Sequence, residues 1–198
     1  MLLSKELPAD IREILASLFE ETGRVSKIVT GLLSLSRLDA GEAQVERVKF
    51  DLAELAATTA EQMWLLALEK EIAVSCDTSN HVEVEGDRSR LKQVIVNLLD
   101  NAIKYTPSNG RIWLSVKADH MNARLSVSDT GPGIPEVALP HIFDRFFRAD
   151  ETRSRVVEGA GLGLSIAKSI CSAHGGRIVV KNLENGGCCF TVDLPLAC

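Results

Sequence analysis

Asn97, Asn101 and Lys104 stand four and then three residues apart, the spacing that brings side chains to one face of a helix. Two amides and an ammonium so placed suit a hydrated divalent cation and phosphates. An amide carbonyl is a hard oxygen ligand for magnesium, and a lysine offers phosphate a point charge. Taken on its helix alone, the trio is equally an ordinary solvated polar face. Asp129 closes an apolar run and enters Gly131-Pro132-Gly133. A carboxylate there is either a turn-former or an acceptor for an exocyclic amino group such as that of adenine, beside glycines that let backbone approach a flat ring. Gly159-Ala160-Gly161-Leu162-Gly163-Leu164 precedes a helical segment. Such a loop either presents free N–H groups to phosphate or is a flexible turn. It is not a P-loop, because no Gly-Lys-Ser/Thr follows. It is not a nucleophile elbow either, because G-x-S-x-G is absent.

Those residues need elements to hold them. Asp87 caps the best amphipathic helix, with Leu91, Val94, Ile95, Val96, Leu98, Leu99, Ala102 and Ile103 as its apolar positions. Pro107-Ser108-Asn109-Gly110 is a turn. Arg111 to Lys117 and Arg124 to Ser128 read as a strand pair bent at His120-Met121-Asn122, and Leu139 to Phe143 as a short helix. Leu164 to His174 is helical and ends at Gly175-Gly176. Arg177 to Lys181 and Cys188 to Leu194 form a last hairpin. Upstream, Gln44 to Phe50, Glu71 to Cys76 and Val82 to Val84 read as short strands, and Asp51 caps a helix to about Leu68. The mixture predicts an antiparallel or mixed sheet with helices on one face.

Before all this, Ile11, Leu15, Leu18, Thr22, Val25, Val29, Leu32 and Ser36 step by four and three, the seam of a coiled coil or helical bundle. Ile14, Ile28, Leu33 and Leu35 widen it. The helix begins near Pro8-Ala9-Asp10, ends near Asp39 and Gly41, and at about 30 residues would be roughly 45 Å long. It cannot bury that stripe alone. Lys+Arg 22 against Asp+Glu 27 gives net charge -5, without the basic excess of a nucleic-acid binder. No apolar run is long enough to span a bilayer. Five cysteines without a C-x-x-C pair point to reduced thiols rather than to a disulfide framework or a zinc site.

In combination these motifs resemble a family, the GHKL ATPases, and within it the sensor histidine kinases of two-component systems. Asn97 to Thr106 resembles their N box and Asp129 to Ile134 the G1 box. Phe143-Asp-Arg-Phe146-Phe147-Arg148 resembles the F box, and Gly159 to Ile166 the G2 box. Leu32 to Gly41 resembles the end of the second dimerisation helix. The resemblance covers nearly the whole chain. It implies an α+β fold, a two-layer α/β sandwich of the Bergerat type with a mixed sheet, preceded by a long stalk helix. Residues 1–44 would be part of the dimerisation and phosphoacceptor region, and residues 45–198 the ATP-binding catalytic domain.

By the same resemblance, Asn101 would hold Mg2+, and Asn97 would support that ion and the phosphates. Lys104 would contact phosphate, with Asn97 and Lys104 the catalytic pair. Tyr105 would line the nucleotide, and Asp129 would bind the adenine amino group between Gly131, Gly133 and Ile134. Gly159, Gly161, Leu162, Gly163 and Leu164 would border the phosphates. Arg145 or Arg148 could reach phosphate, or be a surface arginine. Phe143 is a nucleotide-lining candidate, although Phe143, Phe146 and Phe147 are more often core aromatics. Residues 147–159 would form a lid. The implied ligands are ATP and Mg2+, and the implied partners are a response-regulator receiver domain and a second copy through the helical region. The chain would be the cytoplasmic portion of a parent anchored in the inner membrane by segments upstream.

One departure stands out. The family's acceptor histidine is followed by an acidic residue, a hydrophobe, arginine and proline. None of His81, His120, His141 and His174 has that context, so the phosphoacceptor is expected to lie outside this chain. A degenerate nucleotide-sensing module is the rival reading, with a GHKL ATPase and a serine kinase of the same fold behind it. The ATPases place a glutamate base where Asn97 stands, and an amide cannot take a proton from water.

Overall fold

The computed structural model describes residues 9–39, 46–119, 121–149 and 160–197. In chain order they form α1 (Ala9–Asp39), β1 (Val48–Asp51), α2 (Leu52–Glu69), β2 (Ala73–Asp77), β3 (Glu83–Gly86) and α3 (Arg88–Tyr105). Then follow β4 (Arg111–Asp119), β5 (Asn122–Asp129), α4 (Gly163–Ala173), β6 (Arg177–Asn182) and β7 (Cys188–Pro195). The helix expected over Leu139 to Phe143 is a single 3-10 turn, Leu139–His141. Gln44, Pro8 and Gly41, named above as element boundaries, lie outside the described residues.

The main sheet runs β2-β4-β5-β7-β6. β2 pairs with β4 in parallel, and the other three ladders are antiparallel. The sheet is therefore mixed, as expected. Alternation sets its two faces. Ile112, Leu114 and Val116 of β4 and Ala123, Leu125 and Val127 of β5 are buried, while Trp113 between them is exposed. The buried face meets one layer of helices: Leu52, Leu55 and Met63 of α2, Leu91, Leu98 and Leu99 of α3, and Ile166 and Ile170 of α4. Each large aliphatic side chain so buried contributes about 1.5–3 kcal/mol. The small β1–β3 ribbon closes one side.

Capping explains where α2 and α3 begin. The Asp51 carboxylate accepts the N–H of Ala53 at 2.9 Å and of Val82 at 3.0 Å, so it starts α2 and ties it to the chain entering β3. Asp87 accepts from Ser89 and Arg90, both at 3.0 Å. Each such cap is worth about 1 kcal/mol. α4 has no side-chain cap at its start.

His174, at the end of α4, is a buried joint between layers. Its Nδ1 donates to the Ile170 carbonyl at 2.8 Å, and its Nε2 accepts the Asp87 N–H at 2.9 Å. The ring occupies the space that a Cβ on Gly86 would need, 2.6 Å from its Cδ2.

The stalk helix α1 packs on α4 near its own C-terminal end. Leu35 is 1% exposed, and a Cβ on Gly31 would lie 3.3 Å from both Ile166 Cδ1 and Leu162 Cδ1. Towards the N-terminus its apolar side chains, among them Ile14, Leu18 and Phe19, are exposed. Among the described residues no helix is long and apolar enough to cross a membrane. Cys171, Cys188 and Cys189 are buried and Cys76 is exposed, all four as free thiols.

Candidate functional site

α3 presents Asn97, Asn101 and Lys104, all half-buried, and their roles diverge. The Asn97 amide donates from Nδ2 to the Gly163 carbonyl at 2.9 Å. This ties α3 to the first residue of α4 and leaves the Asn97 oxygen without a donor among the described residues. Asn101 has no side-chain hydrogen bond among the described residues. Lys104 pairs with Asp100, one turn back, at 2.5 Å. Asp100 was not singled out from sequence, although the i,i+4 spacing from an acid to a lysine was there to be read. Tyr105 closes the helix with an exposed ring.

Asp129 ends β5 and is buried. Its Oδ1 accepts the Gly131 N–H at 2.8 Å, and its Oδ2 accepts the Cys188 thiol at 3.0 Å. Burial and the neighbouring carboxylate push the Cys188 thiol up, so it stays protonated and remains a donor. The glycines are required by close approach. A Cβ on Gly131 would stand 2.8 Å from Asp129 Oδ1 and 3.0 Å from the Tyr105 carbonyl. Gly187, with φ +83°, lies so close that its Cβ would fall 1.9 Å from the Asp129 carbonyl oxygen. Asn182 holds Ile134 from the other side. Cys188, Gly187 and Asn182 escaped the sequence reading, because each meets Asp129 or Ile134 across some fifty residues of chain, with no local spacing to mark the contact.

The two remaining motifs are stitched together. Phe146, at φ 63°, donates its N–H to the Gly161 carbonyl at 3.0 Å. Gly161, at φ +70°, leaves no room for a side chain, since its Cβ would lie 2.8 Å from the Phe146 carbonyl carbon. Phe143 is a core aromatic, edge-on to Phe190 at 6.4 Å with Lys168 Nζ 5.9 Å from its ring centroid. Phe147 packs partly into the core and Phe146 is exposed. Leu162 is buried and its carbonyl accepts the Ser165 hydroxyl at 2.9 Å. Leu164 packs against the core and Arg148 is half-buried. Gly159 and most of the expected lid lie outside the described residues. An open groove of about 690 Å³ runs between Phe143–Arg145 and α4, and Asn97, Asn101 and Asp129 do not line it.

The three described histidines divide into two exposed ones and a buried one. His81 and His141 are exposed and pair with Asp51 and Asp144, both at 2.9 Å. His174 is structural, and His120 lies outside the described residues.

A buried carboxylate beside a glycine turn, two amides on a helix face and a helix start without a side-chain cap thus stand on a two-layer α/β sandwich. The sequence model of the histidine kinase-, DNA gyrase B- and HSP90-like ATPases matches residues 86–197, and the chain belongs to that family. The signal transduction histidine-protein kinase BaeS of Escherichia coli (strain K12) is 34% identical over 184 residues, 93% of this chain and 39% of BaeS. Full-length ShkA in complex with AMPPNP has TM-score 0.85 and 31% identity, over 99% of this chain and 41% of ShkA. Histidine kinase ThkA in complex with response regulator TrrA has TM-score 0.73 and 28% identity, over 100% of this chain and 55% of that one. The chain spans about two fifths of the length of BaeS. It carries the histidine-kinase type of catalytic domain, with the expected α+β sandwich.

Proposed function

We propose that this chain binds ATP with Mg2+ between α3, the Asp129 turn and the start of α4. It then serves as the catalytic part of a sensor histidine kinase, sending the γ-phosphoryl to a histidine outside this chain. The observation that carries this is the junction of Asn97 with Gly163. It sets an amide oxygen beside a helix start whose N–H groups no side chain caps, and such N–H groups suit phosphate. The base end is the buried Asp129, whose two oxygens are oriented by Gly131 and Cys188.

The residues present fit magnesium. The Asn101 amide and the Asn97 oxygen offer hard oxygen ligands without competing donors among the described residues. Among the described residues no acidic cluster could hold a metal alone, which suits an ion that keeps its waters and shares the nucleotide's phosphates. When bound, the ion would neutralise charge on the transferred group. Positioning and neutralisation are what phosphoryl transfer chiefly needs from a protein. Lys104 would leave Asp100 to meet phosphate, a short exchange at a half-exposed pair. Hydrolysis as the main activity is disfavoured, because Asn97 spends its N–H on Gly163 and has no basic atom for a water.

The exposed stripe on α1 supports assembly with a second copy. The binding of TrrA by ThkA supports a response-regulator receiver domain as acceptor of the phosphoryl group. The chain would be the cytoplasmic portion of a longer parent held in the inner membrane. Calorimetric titration of ADP and ATP with Mg2+ tests the nucleotide reading, using wild type, Asn101→Asp and Asp129→Asn. The expected result is binding that each substitution weakens at least about tenfold. No binding by folded wild type would overturn it. Mixing with an acceptor-bearing helical bundle and assaying phosphohistidine separates the kinase from a nucleotide-sensing module.

A further inference from the structure

We propose that Asn182, the last residue of β6, is a positioning residue for nucleotide recognition, holding the turn that follows Asp129 in its binding shape. The proposal rests on the nucleotide reading above. Asn182 Oδ1 accepts the Ile134 N–H at 2.9 Å, and Asn182 Nδ2 donates to the Ile134 carbonyl at 2.7 Å. One side-chain amide thus exchanges with one residue both bonds that neighbouring antiparallel strands exchange. The pattern also fixes the amide's orientation, since the flipped form would set NH2 against N–H and oxygen against oxygen.

The turn lies tight on this amide, for a Cβ on Gly133 would stand 3.1 Å from Asn182 Oδ1. The same hairpin grips the other end of the turn through Gly187, against the Asp129 carbonyl, and through Cys188 on the Asp129 carboxylate. Residues 129–134 are therefore pinned at both ends by β6–β7. Thr130 is held separately, its hydroxyl accepting the Arg111 N–H at 2.9 Å. The pins differ in kind. The one at Asp129 is built into the β5–β7 ladder, which runs to Ser128↔Cys189. The one at Ile134 depends on a single side chain from β6, the edge strand of the sheet. No ladder bond replaces it when it is removed.

Asn182 is exposed, so its loss should loosen the turn without unfolding the sandwich. The test compares wild type, Asn182→Leu and Asn182→Asp by titration calorimetry with ADP·Mg2+, with inorganic tripolyphosphate·Mg2+ as the probe of the phosphate end. Melting temperature is recorded for each. In Asn182→Leu the Kd for ADP should rise about tenfold, as expected for two lost hydrogen bonds, while the Kd for tripolyphosphate is unchanged. In Asn182→Asp the carboxylate can accept from Ile134 N–H but repels the Ile134 carbonyl, whereas the protonated acid both accepts and donates. Its Kd for ADP relative to wild type should therefore fall as pH is lowered from 7 to 4, into the range where an exposed aspartate with an ordinary pKa of about 3.9 takes up a proton, and the Leu variant's ratio should stay flat. A role confined to stability would move melting temperature without that pH-dependent ratio. If Asn182→Leu does not fold, the pH profile of Asn182→Asp carries the test. ADP binding by both variants equal to wild type overturns the positioning role alone. No ADP binding by wild type overturns the nucleotide reading and the positioning role with it.

Discussion

At Asp129 a single carboxylate is both buried and held in one orientation. The Gly131 amide and the Cys188 thiol fill one direction at each oxygen. Replacing Cys188 by Ser keeps an O–H donor and should leave stability within about 1 kcal/mol. Replacing it by Val strands a buried carboxylate oxygen and should cost about 1–3 kcal/mol. Urea melts of the two variants check the difference, and equal stabilities would mean the thiol bond contributes nothing. Asp129 itself was legible, because an acid that ends an apolar run before Gly-x-Gly is a local signal. Cys188 was not, since its meeting with Asp129 spans 59 positions and exists only once β5 and β7 have paired.

α3 shows how an element can be held at both ends by different means. Its start is capped by its own neighbour Asp87, which the sequence announces. Its end is held from outside: Lys70 Nζ donates to the carbonyls of Ile103 at 2.6 Å and Lys104 at 3.0 Å, and lies 3.4 Å from that of Thr106. An ammonium there meets the orphan carbonyls and the negative end of the helix dipole together. Lys70→Met keeps the stem and removes the charge, and should cost about 1–2 kcal/mol. For a chain of this size that lowers the melting temperature by roughly 2–8 °C, which calorimetry would detect. No periodicity could have named Lys70, because its partners are backbone groups more than thirty residues away. The helices themselves were legible from spacing, and their starts from Asp51 and Asp87. The helix foreseen past His141 was not formed. Its apolar residues Ile142 and Phe143 turn into the core instead, and packing prevailed over local propensity.

Over the whole molecule, acid stability should fall in two separate windows. Burial lowers the pKa of His174 from its ordinary 6.5, and its lone pair on Nε2 is already committed to Asp87. The unfolded ring takes a proton as pH drops below 6.5 and the folded ring does not. Its contribution is therefore complete above pH 6.5 and is lost as pH falls below it. Asp193, held below its ordinary 3.8 chiefly by the hydrogen bond from Arg124 and also by Arg177, contributes above 3.8 and is lost as pH falls through its lower folded value. Urea denaturation between pH 7.5 and 5 should show a decline that His174→Phe removes, although that variant is less stable throughout. A slope that survives the substitution would assign it to another group. The division into layers, the mixed sheet and the stalk were all readable in the order of strands and in the four-three stepping of α1. How the stalk meets the sandwich was not, because Gly31 gave no sign of lying against Leu162 and Ile166.

That contact has a mechanical consequence. Gly31 lies 22 residues from Ala9 and 8 from Asp39 in a helix of 31, so the arms on either side measure about 33 Å and 12 Å. With Gly31 and Leu35 seated on α4, the helix is a lever of unequal arms and α4 its fulcrum. A tilt that shifts the short arm's tip by 1 Å would sweep the long arm's tip by almost 3 Å, by the ratio of those lengths. Read in reverse, a coarse displacement far out on the stalk arrives at the C-terminal tip of the helix, just beyond its seat on α4, as a fine adjustment of under half its size.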